Sequence, residues 1–135
     1  MNGATAAPLA PALLAVFVGA GLGACLRFAL GEALNRLSPQ LPLGTLAANL
    51  IGGYLVGVAI AFFAWRTDLS LLWRLALITG FLGGLTTFST LSAEVVNALA
   101  RGEPGWALAT AASHLAGSRL LPALGLATVR ALTAG

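Results

Sequence analysis

The chain has 135 residues, of which 59% are hydrophobic and only 8% are charged. Soluble domains carry roughly a quarter charged residues, so this composition excludes a water-soluble globular domain and predicts an integral membrane protein. The net charge of +3 comes from arginines that stand singly along the chain, a pattern that gives no support to nucleic-acid binding.

Four apolar stretches predict an all-α membrane protein with four transmembrane helices in a single domain that covers residues 1–135. The predicted spans are about 12–30, 43–64, 71–100 and 105–130, and each can cross a hydrocarbon core that takes about 20 residues. Residues 1–11 are predicted to form a short tail, because they lack the positive region of a secretory signal. The lone cysteine, Cys25, lies in an apolar stretch and is interpreted as a packing residue.

The arginines are nearly balanced between the two sides of this four-span arrangement. One side holds Arg66, Arg74 and Arg130, and the other holds Arg36 and Arg101, with Arg27 near that end. Orientation normally follows an excess of Lys and Arg in the cytoplasmic loops. The near balance therefore predicts that the chain inserts in both orientations.

Small residues recur four apart in the first two spans. Gly19 and Gly23 have this spacing, as do Gly53 and Gly57, and Asn49 precedes Gly53 by one further step on the same face. Such spacing lets helix backbones approach closely in lipid. An amide in hydrocarbon needs a partner, so Asn49 is predicted either to form an interhelical hydrogen bond or to line a pore, and both alternatives remain open.

The third span contains a run of glycine, threonine and serine at residues 80–92. Glycine costs about 1 kcal/mol relative to alanine in a helix, so the helix is predicted to break between Gly83 and Thr87. A break frees backbone carbonyls, which membranes tolerate only where they line a cavity, face protein or bind an ion such as Na⁺. The alternative is an unbroken helix whose small residues serve packing.

Groups suited to catalysis do not stand together in the sequence. Three acids lie at helix ends or in loops, and the fourth, Glu94, stands alone, so an enzyme is not supported. The polar exceptions in the fourth span are His114 and Arg119. Arginine in the middle of a membrane helix costs about 2.5 to 3.5 kcal/mol, and snorkelling or pairing with a carbonyl would account for either residue.

Three motifs resemble those of the Fluc (CrcB) family of fluoride channels and occur in order along the first three spans. They are GLGACLR at 21–27, GTLAANLIG at 44–52 and GFLGGLTTFST at 80–90. The fourth span matches weakly, through Ser113 and Gly117.

The resemblance implies a fluoride-specific channel subunit that exports fluoride from the cytoplasm across a bacterial plasma membrane and so lowers its toxicity. It implies two antiparallel subunits around two pores, as a homodimer or as a heterodimer with a paralogous subunit. The implied pore residues are Asn49, Phe88 and Ser113, with the hydroxyls of Thr87 and Thr90 as further donors. A structural Na⁺ would be held by the backbone carbonyls of Gly83 and Thr86.

Two positions depart from the family pattern, since Leu91 stands where a second pore phenylalanine is expected and Arg119 enters the fourth span. The alternative interpretation is therefore a non-conducting partner subunit in a heterodimeric fluoride channel. The rival from another class is a small proton-coupled multidrug exporter. Such an exporter needs a carboxylate within the first span, where this chain has none before Glu32.

Overall fold

The computed structural model describes residues 6–135, and all regular structure within that range is helical. Helix α1 is Leu9–Leu34 and leads through a 3₁₀ turn, Asn35–Leu37, to helix α2, Leu43–Trp65. Helix α3 covers residues 71–85 and is built from Leu71–Arg74, a π-helical stretch Leu75–Leu82 and Gly83–Leu85. Helix α4 is Ser89–Ala100 and helix α5 is Pro104–Thr133.

Helix α1 begins three residues before the predicted start of the first span. Proline is tolerated in the first helical turn, where its missing N–H would have no helical acceptor, so Pro11 does not delay the helix. The Pro8 carbonyl accepts a hydrogen bond from the Ala12 amide at 3.1 Å. Part of the predicted tail is therefore helical, and its first five residues lie outside the described range.

Three stretches are long and apolar enough to cross a membrane: Leu9–Leu37, Leu43–Trp65 and Leu71–Ala100. Large apolar side chains such as Phe17, which is 76% exposed, point outward from these helices. This confirms the predicted all-helical membrane protein. The fourth predicted span is a 30-residue helix, α5, but it does not reach the same hydropathy because it carries His114, Arg119 and Arg130.

Helices α1 and α3 run parallel in direct backbone contact. A Cβ atom added at Gly80 would lie 2.8 Å from the Val16 carbonyl oxygen, and one added at Gly84 would lie 3.0 Å from the Ala20 Cα. A Cβ at Gly23 would overlap the Phe81 carbonyl. Only glycine allows the two backbones to approach this closely.

Helices α2 and α5 form a second close pair and also run parallel. A Cβ at Gly57 would overlap the Pro122 backbone, and one at Gly125 would overlap the Tyr54 backbone. A Cβ at Gly53 would lie 3.5 Å from Pro122 Cδ. The small residues of the second span therefore serve close helix packing, as their spacing predicts, and helix α5 follows α2 along most of its length.

Short ion pairs mark the connections. Arg36 and Glu32 are 3.1 Å apart, Arg101 and Glu103 are 3.3 Å apart, and Arg66 and Asp68 are 2.8 Å apart. The hydrogen bonds from Arg66 lower the pKa of the Asp68 carboxyl to about 2. These charges are exposed, which suits positions where the chain emerges from the membrane.

The third helix is broken, so the alternative of an unbroken packing helix is wrong. Thr86 adopts an extended conformation with φ −87° and ψ 152°, and residues 86–88 separate α3 from α4. The break therefore begins within the predicted segment, Gly83 to Thr87, at its threonine end, and Gly83 and Gly84 are still helical. The absent side chain of Gly84 serves contact with α1.

Candidate functional site

Asn49 of helix α2 pairs with the backbone of Thr87 at the break. Its Oδ1 accepts a hydrogen bond from the Thr87 amide at 2.8 Å, and its Nδ2 donates to the Thr87 carbonyl at 3.0 Å. In a continuous helix the Thr87 amide would donate to the Gly83 carbonyl. The side chain of Asn49 therefore takes the place of a helical hydrogen bond and stabilises the broken conformation.

Asn49 also contacts His114 of helix α5, with Nδ2 2.9 Å from the imidazole Nδ1. An amide nitrogen only donates, so Nδ1 accepts and the imidazole is neutral with its hydrogen on Nε2. His114 is 4% exposed, and its Nε2 has no hydrogen-bond partner within residues 6–135. Both amide hydrogens of Asn49 are thus engaged inside the subunit, and the interhelical hydrogen bond predicted as one alternative is present.

The break leaves several carbonyls without helical donors. Gly83 has lost the Thr87 amide to Asn49, and Thr86 has lost the Thr90 amide, which donates to Thr87 Oγ1 at 3.2 Å. The Gly84 carbonyl accepts instead from Arg27 Nε at 3.0 Å. The Gly84 carbonyl is thus satisfied by an arginine of helix α1, whereas those of Gly83 and Thr86 have lost the amides that would bond them in a continuous helix.

Threonine hydroxyls organise the start of helix α4. The Thr87 hydroxyl accepts from the Thr90 amide, as described, and donates to Thr90 Oγ1 at 3.2 Å. The first amides of any helix lack internal acceptors, so Thr87 acts as a cap. The Thr86 hydroxyl donates back to the Leu82 carbonyl at 2.9 Å and belongs to the end of α3.

An open cleft of about 380 Å³ lies against the break. Its polar wall consists of Asn49, Thr86, Thr87, His114 and Ser118, and the remaining wall is apolar and includes Phe88, Leu91, Leu115 and Pro122. Phe88 is 78% exposed, whereas Leu91 is only 9% exposed. The cleft therefore combines hydrogen-bonding groups with an aromatic ring that projects from the surface.

The structure brings most of the predicted site residues together. Asn49, Thr86, Thr87 and Phe88 line the cleft, Thr90 is bonded to Thr87, and Gly83 lies in the last turn before the break. Ser113 does not line the cleft, and its hydroxyl donates to the Ala109 carbonyl of its own helix at 2.6 Å.

The cleft wall on helix α5 is formed by His114 and Ser118 rather than Ser113. One residue along a helix turns a side chain by about 100°, so a shift of one position moves it off the wall. The sequence contains the signal for the correct face, because His114, Ser118 and Pro122 recur four apart. His114 pairs with Asn49, where snorkelling or a carbonyl contact was expected.

A second polar contact lies one helical turn from the cleft. The hydroxyl of Thr45, which is 5% exposed, donates to Glu94 Oε1, so Glu94 does not stand alone as the sequence indicated. The other carboxyl oxygen of Glu94 is buried without a hydrogen-bond partner in the described part of the chain. That same range, 6–135, contains no group of three or more His, Cys, Asp or Glu residues that could hold a metal.

These features define a class: a helical membrane protein whose interrupted span places freed backbone groups and polar side chains at membrane depth, as channels and transporters do. The chain belongs to the family described as CrcB-like protein, Camphor Resistance (CrcB), which matches residues 14–126. Proteins named "Fluoride-specific ion channel FluC" from Burkholderia pseudomallei (strain 668), Burkholderia mallei (strain SAVP1) and Burkholderia lata are similar to it. Each is 60% identical over 119 residues, or 88% of this chain and 93% of the relative. The family resemblance of the three motifs is confirmed.

Proposed function

We propose that this chain is a subunit of a fluoride-specific ion channel that exports fluoride through a bacterial plasma membrane and so lowers its toxicity in the cytoplasm. The relatives' names describe an ion channel rather than an enzyme. The observation that carries the proposal is the polar cleft at the break of the third helix, where Asn49 holds the backbone of Thr87.

Fluoride is small and strongly hydrated, so a conducting path must replace its water with donors. The cleft offers the positive edge of the Phe88 ring. It is also lined by Thr87 and Ser118, whose hydroxyls would turn to the anion from their present acceptors, Thr90 Oγ1 and the Leu115 carbonyl. Asn49 would donate to the anion by exchanging its bond to His114, since its two bonds to Thr87 are needed to hold the break. Ser113 would contribute only if helix α5 rotated from its present position.

The channel is proposed to be an antiparallel dimer with two pores. The exposed ring of Phe88 and the break beside the open cleft belong to the apolar stretch Leu71–Ala100, which is long enough to cross a membrane, and polar groups inside a membrane cannot face lipid. A second copy, or a paralogous subunit, would cover them. Because helix α5 follows α2 along its length, it would cross the membrane with α2 and complete four spans. The near-even placement of arginines suits insertion in both orientations.

A structural Na⁺ is proposed at the break, held by the carbonyls of Gly83 and Thr86. Both carbonyls lack their helical donors, and neutral oxygen ligands suit a hard cation. The ion would stabilise the broken backbone at the centre of the dimer. Replacing Na⁺ by choline during purification should then lower the midpoint of thermal unfolding, because a ligand that binds only the folded state stabilises it; an unchanged midpoint would contradict the site.

Fluoride efflux from liposomes that contain only the purified chain tests the function directly. A fluoride electrode should record rapid release that empty liposomes lack, and chloride release should stay at the background rate. The buried Leu91 favours a second candidate, a partner subunit that conducts only with a paralogue. Efflux that appears only after the paralogue is added would support this candidate, and no efflux in either case would contradict a fluoride channel.

The exporter alternative finds no support in helix α1. Its acid Glu32 lies near the end of the helix and pairs with Arg36, and both side chains are more than half exposed.

Labelling a C-terminal tag on intact and permeabilised cells tests the antiparallel arrangement. The tag should be found on both membrane faces, and a tag on a single face would contradict dual insertion of this chain alone.

A further inference from the structure

Arg119 is a charged side chain near the middle of helix α5, and it is exposed. The level of Arg119 in the membrane follows from the contacts between α5 and α2, where Gly53 faces Pro122 and Gly125 faces Tyr54. Tyr54 is the midpoint of α2. Arg119 precedes Pro122 by three residues, so at about 1.5 Å per residue it lies roughly 5 Å from the level of that midpoint.

This depth is inside the hydrocarbon core, which is about 30 Å thick. Charged residues at such depth almost always face the interior of a bundle or a water-filled cavity, or pair with one another. Arg119 forms no ion pair and no side-chain hydrogen bond with any residue in the range 6–135. The exposed face that carries Arg119 is therefore not a lipid-facing surface in the working protein.

The chain offers no carboxylate as a partner for this arginine. Three of its four acidic side chains form exposed ion pairs with neighbouring arginines: Glu32, Asp68 and Glu103. The fourth, Glu94, accepts a hydrogen bond from Thr45 in the first turn of α2. Thr45 lies nine residues before the α2 midpoint, so Glu94 is about 13 Å from the level of that midpoint. In an antiparallel second copy, Glu94 would lie on the other side of the midpoint level from Arg119, so the two residues would be further apart still.

Arg119 also points away from α2 and from its buried contacts. It follows His114, which faces Asn49, by five residues, and this places it about 140° around the helix. Two near neighbours of Arg119, Ser118 and Leu115, line the cleft. Ser118 directly precedes it, and Leu115 lies one turn before it on the same side of the helix. Arg119 does not itself line the cleft, but these two neighbours place it beside the cleft.

We infer that Arg119 supplies a fixed positive charge that draws fluoride into the cleft, so that its counter-ion is the permeating anion. The inference rests on the proposed function and adds a residue that sets anion affinity. A charge of one sign beside a cleft with apolar walls raises the local concentration of the opposite ion by about 10- to 1000-fold. Long-range attraction of this kind depends on charge and needs no direct bond.

The test measures the initial rate of efflux against fluoride concentration in liposomes for the wild type, Arg119→Gln, Arg119→Lys and Arg130→Gln. Arg130 is the matched control, because it is exposed on the same helix but lies in the last turn. Arg119→Gln should raise the half-saturating fluoride concentration at least about tenfold. Arg119→Lys and Arg130→Gln should stay close to the wild type, and cross-linking should show an intact dimer for every variant.

Several results would overturn the inference while the proposed function stands. They are wild-type affinity in Arg119→Gln, an equal loss in Arg130→Gln, an equal loss in Arg119→Lys, or loss of the dimer in Arg119→Gln, which would make Arg119 an interface residue. If the wild type conducts only with the paralogue, the four proteins are compared in that mixed channel. A wild type that stays silent even with the paralogue is a different outcome, because it would contradict the proposed function itself and the inference with it.

Discussion

The two halves of the interrupted third helix are held by different interactions. Helix α3 touches α1 through backbone contacts at Gly80 and Gly84, with no side chain between the two backbones. Helix α4 begins at a site fixed by polar bonds, those of Asn49 to Thr87 and of Thr87 to Thr90. Glycine contacts thus provide a rigid support, and the polar bonds set the position of the groups that face the cleft.

Asn49→Asp should give the largest effect on transport. Aspartate can still accept from the Thr87 amide but can no longer donate to the Thr87 carbonyl or to His114, and its charge repels an anion in the cleft. Fluoride efflux should fall at least about 100-fold, which corresponds to ~2.7 kcal/mol. The measurement is efflux from liposomes, with cross-linking to show that the dimer persists.

Asn97→Asp is the control for this change, because Asn97 is exposed on helix α4 and takes no part in the break. It should leave efflux close to that of the wild type. Undiminished efflux in Asn49→Asp would rule out a role for this amide in conduction.

Gly23→Ala tests the support formed by helices α1 and α3. The new Cβ would overlap the Phe81 carbonyl, so the two helices must separate. Overpacking of this kind costs about 1 to 3 kcal/mol, and thermal unfolding in detergent, followed by tryptophan fluorescence, should show a lower midpoint. The same change at Gly21 has free space around it and should be neutral or slightly stabilising. Equal midpoints for the two variants would show that the contact between α1 and α3 is not close.

Phe88 and Leu91 differ in exposure although they lie three residues apart at the start of α4. Phe88 projects its ring outward, whereas Leu91 is buried. If each pore of a homodimer takes Phe88 from one subunit and Leu91 from the other, each pore contains one ring edge. Phe88→Ile should lower the flux, and Leu91→Phe should raise it. A ring-edge contact is worth about 0.5 to 1.5 kcal/mol, which fits changes of about 2- to 10-fold.

Efflux from liposomes with wild type and both variants decides between this view and simple packing of Leu91. Full wild-type flux that Leu91→Phe does not change would show that a second ring is not needed. Loss of the dimer in Phe88→Ile would assign the ring to assembly rather than to conduction.

The scaffold could be predicted well from the sequence because apolar length and glycine spacing are local properties. Helices α1 and α2 follow from them, as does the interruption predicted between Gly83 and Thr87, where the structure extends the chain at Thr86. The partners of Asn49 could not be derived, since they depend on how three helices meet. The same limit applies to Arg27, whose bond to the Gly84 carbonyl joins residues 57 positions apart.

Ser118 and Ser113 should give the smallest effects and test which face of helix α5 meets the permeation path. Both hydroxyls donate to a carbonyl of their own helix, Ser118 to Leu115 and Ser113 to Ala109, but only Ser118 lines the cleft. Removing one donor hydroxyl from the path costs about 0.5 to 1.5 kcal/mol, so Ser118→Ala should lower fluoride efflux about 2- to 10-fold. Ser113→Ala should leave efflux unchanged, because that hydroxyl has no contact with the cleft. A larger loss of efflux in Ser113→Ala than in Ser118→Ala would mean that helix α5 turns by about 100° in the assembled channel. Ser113 would then be the pore residue, as the sequence predicts.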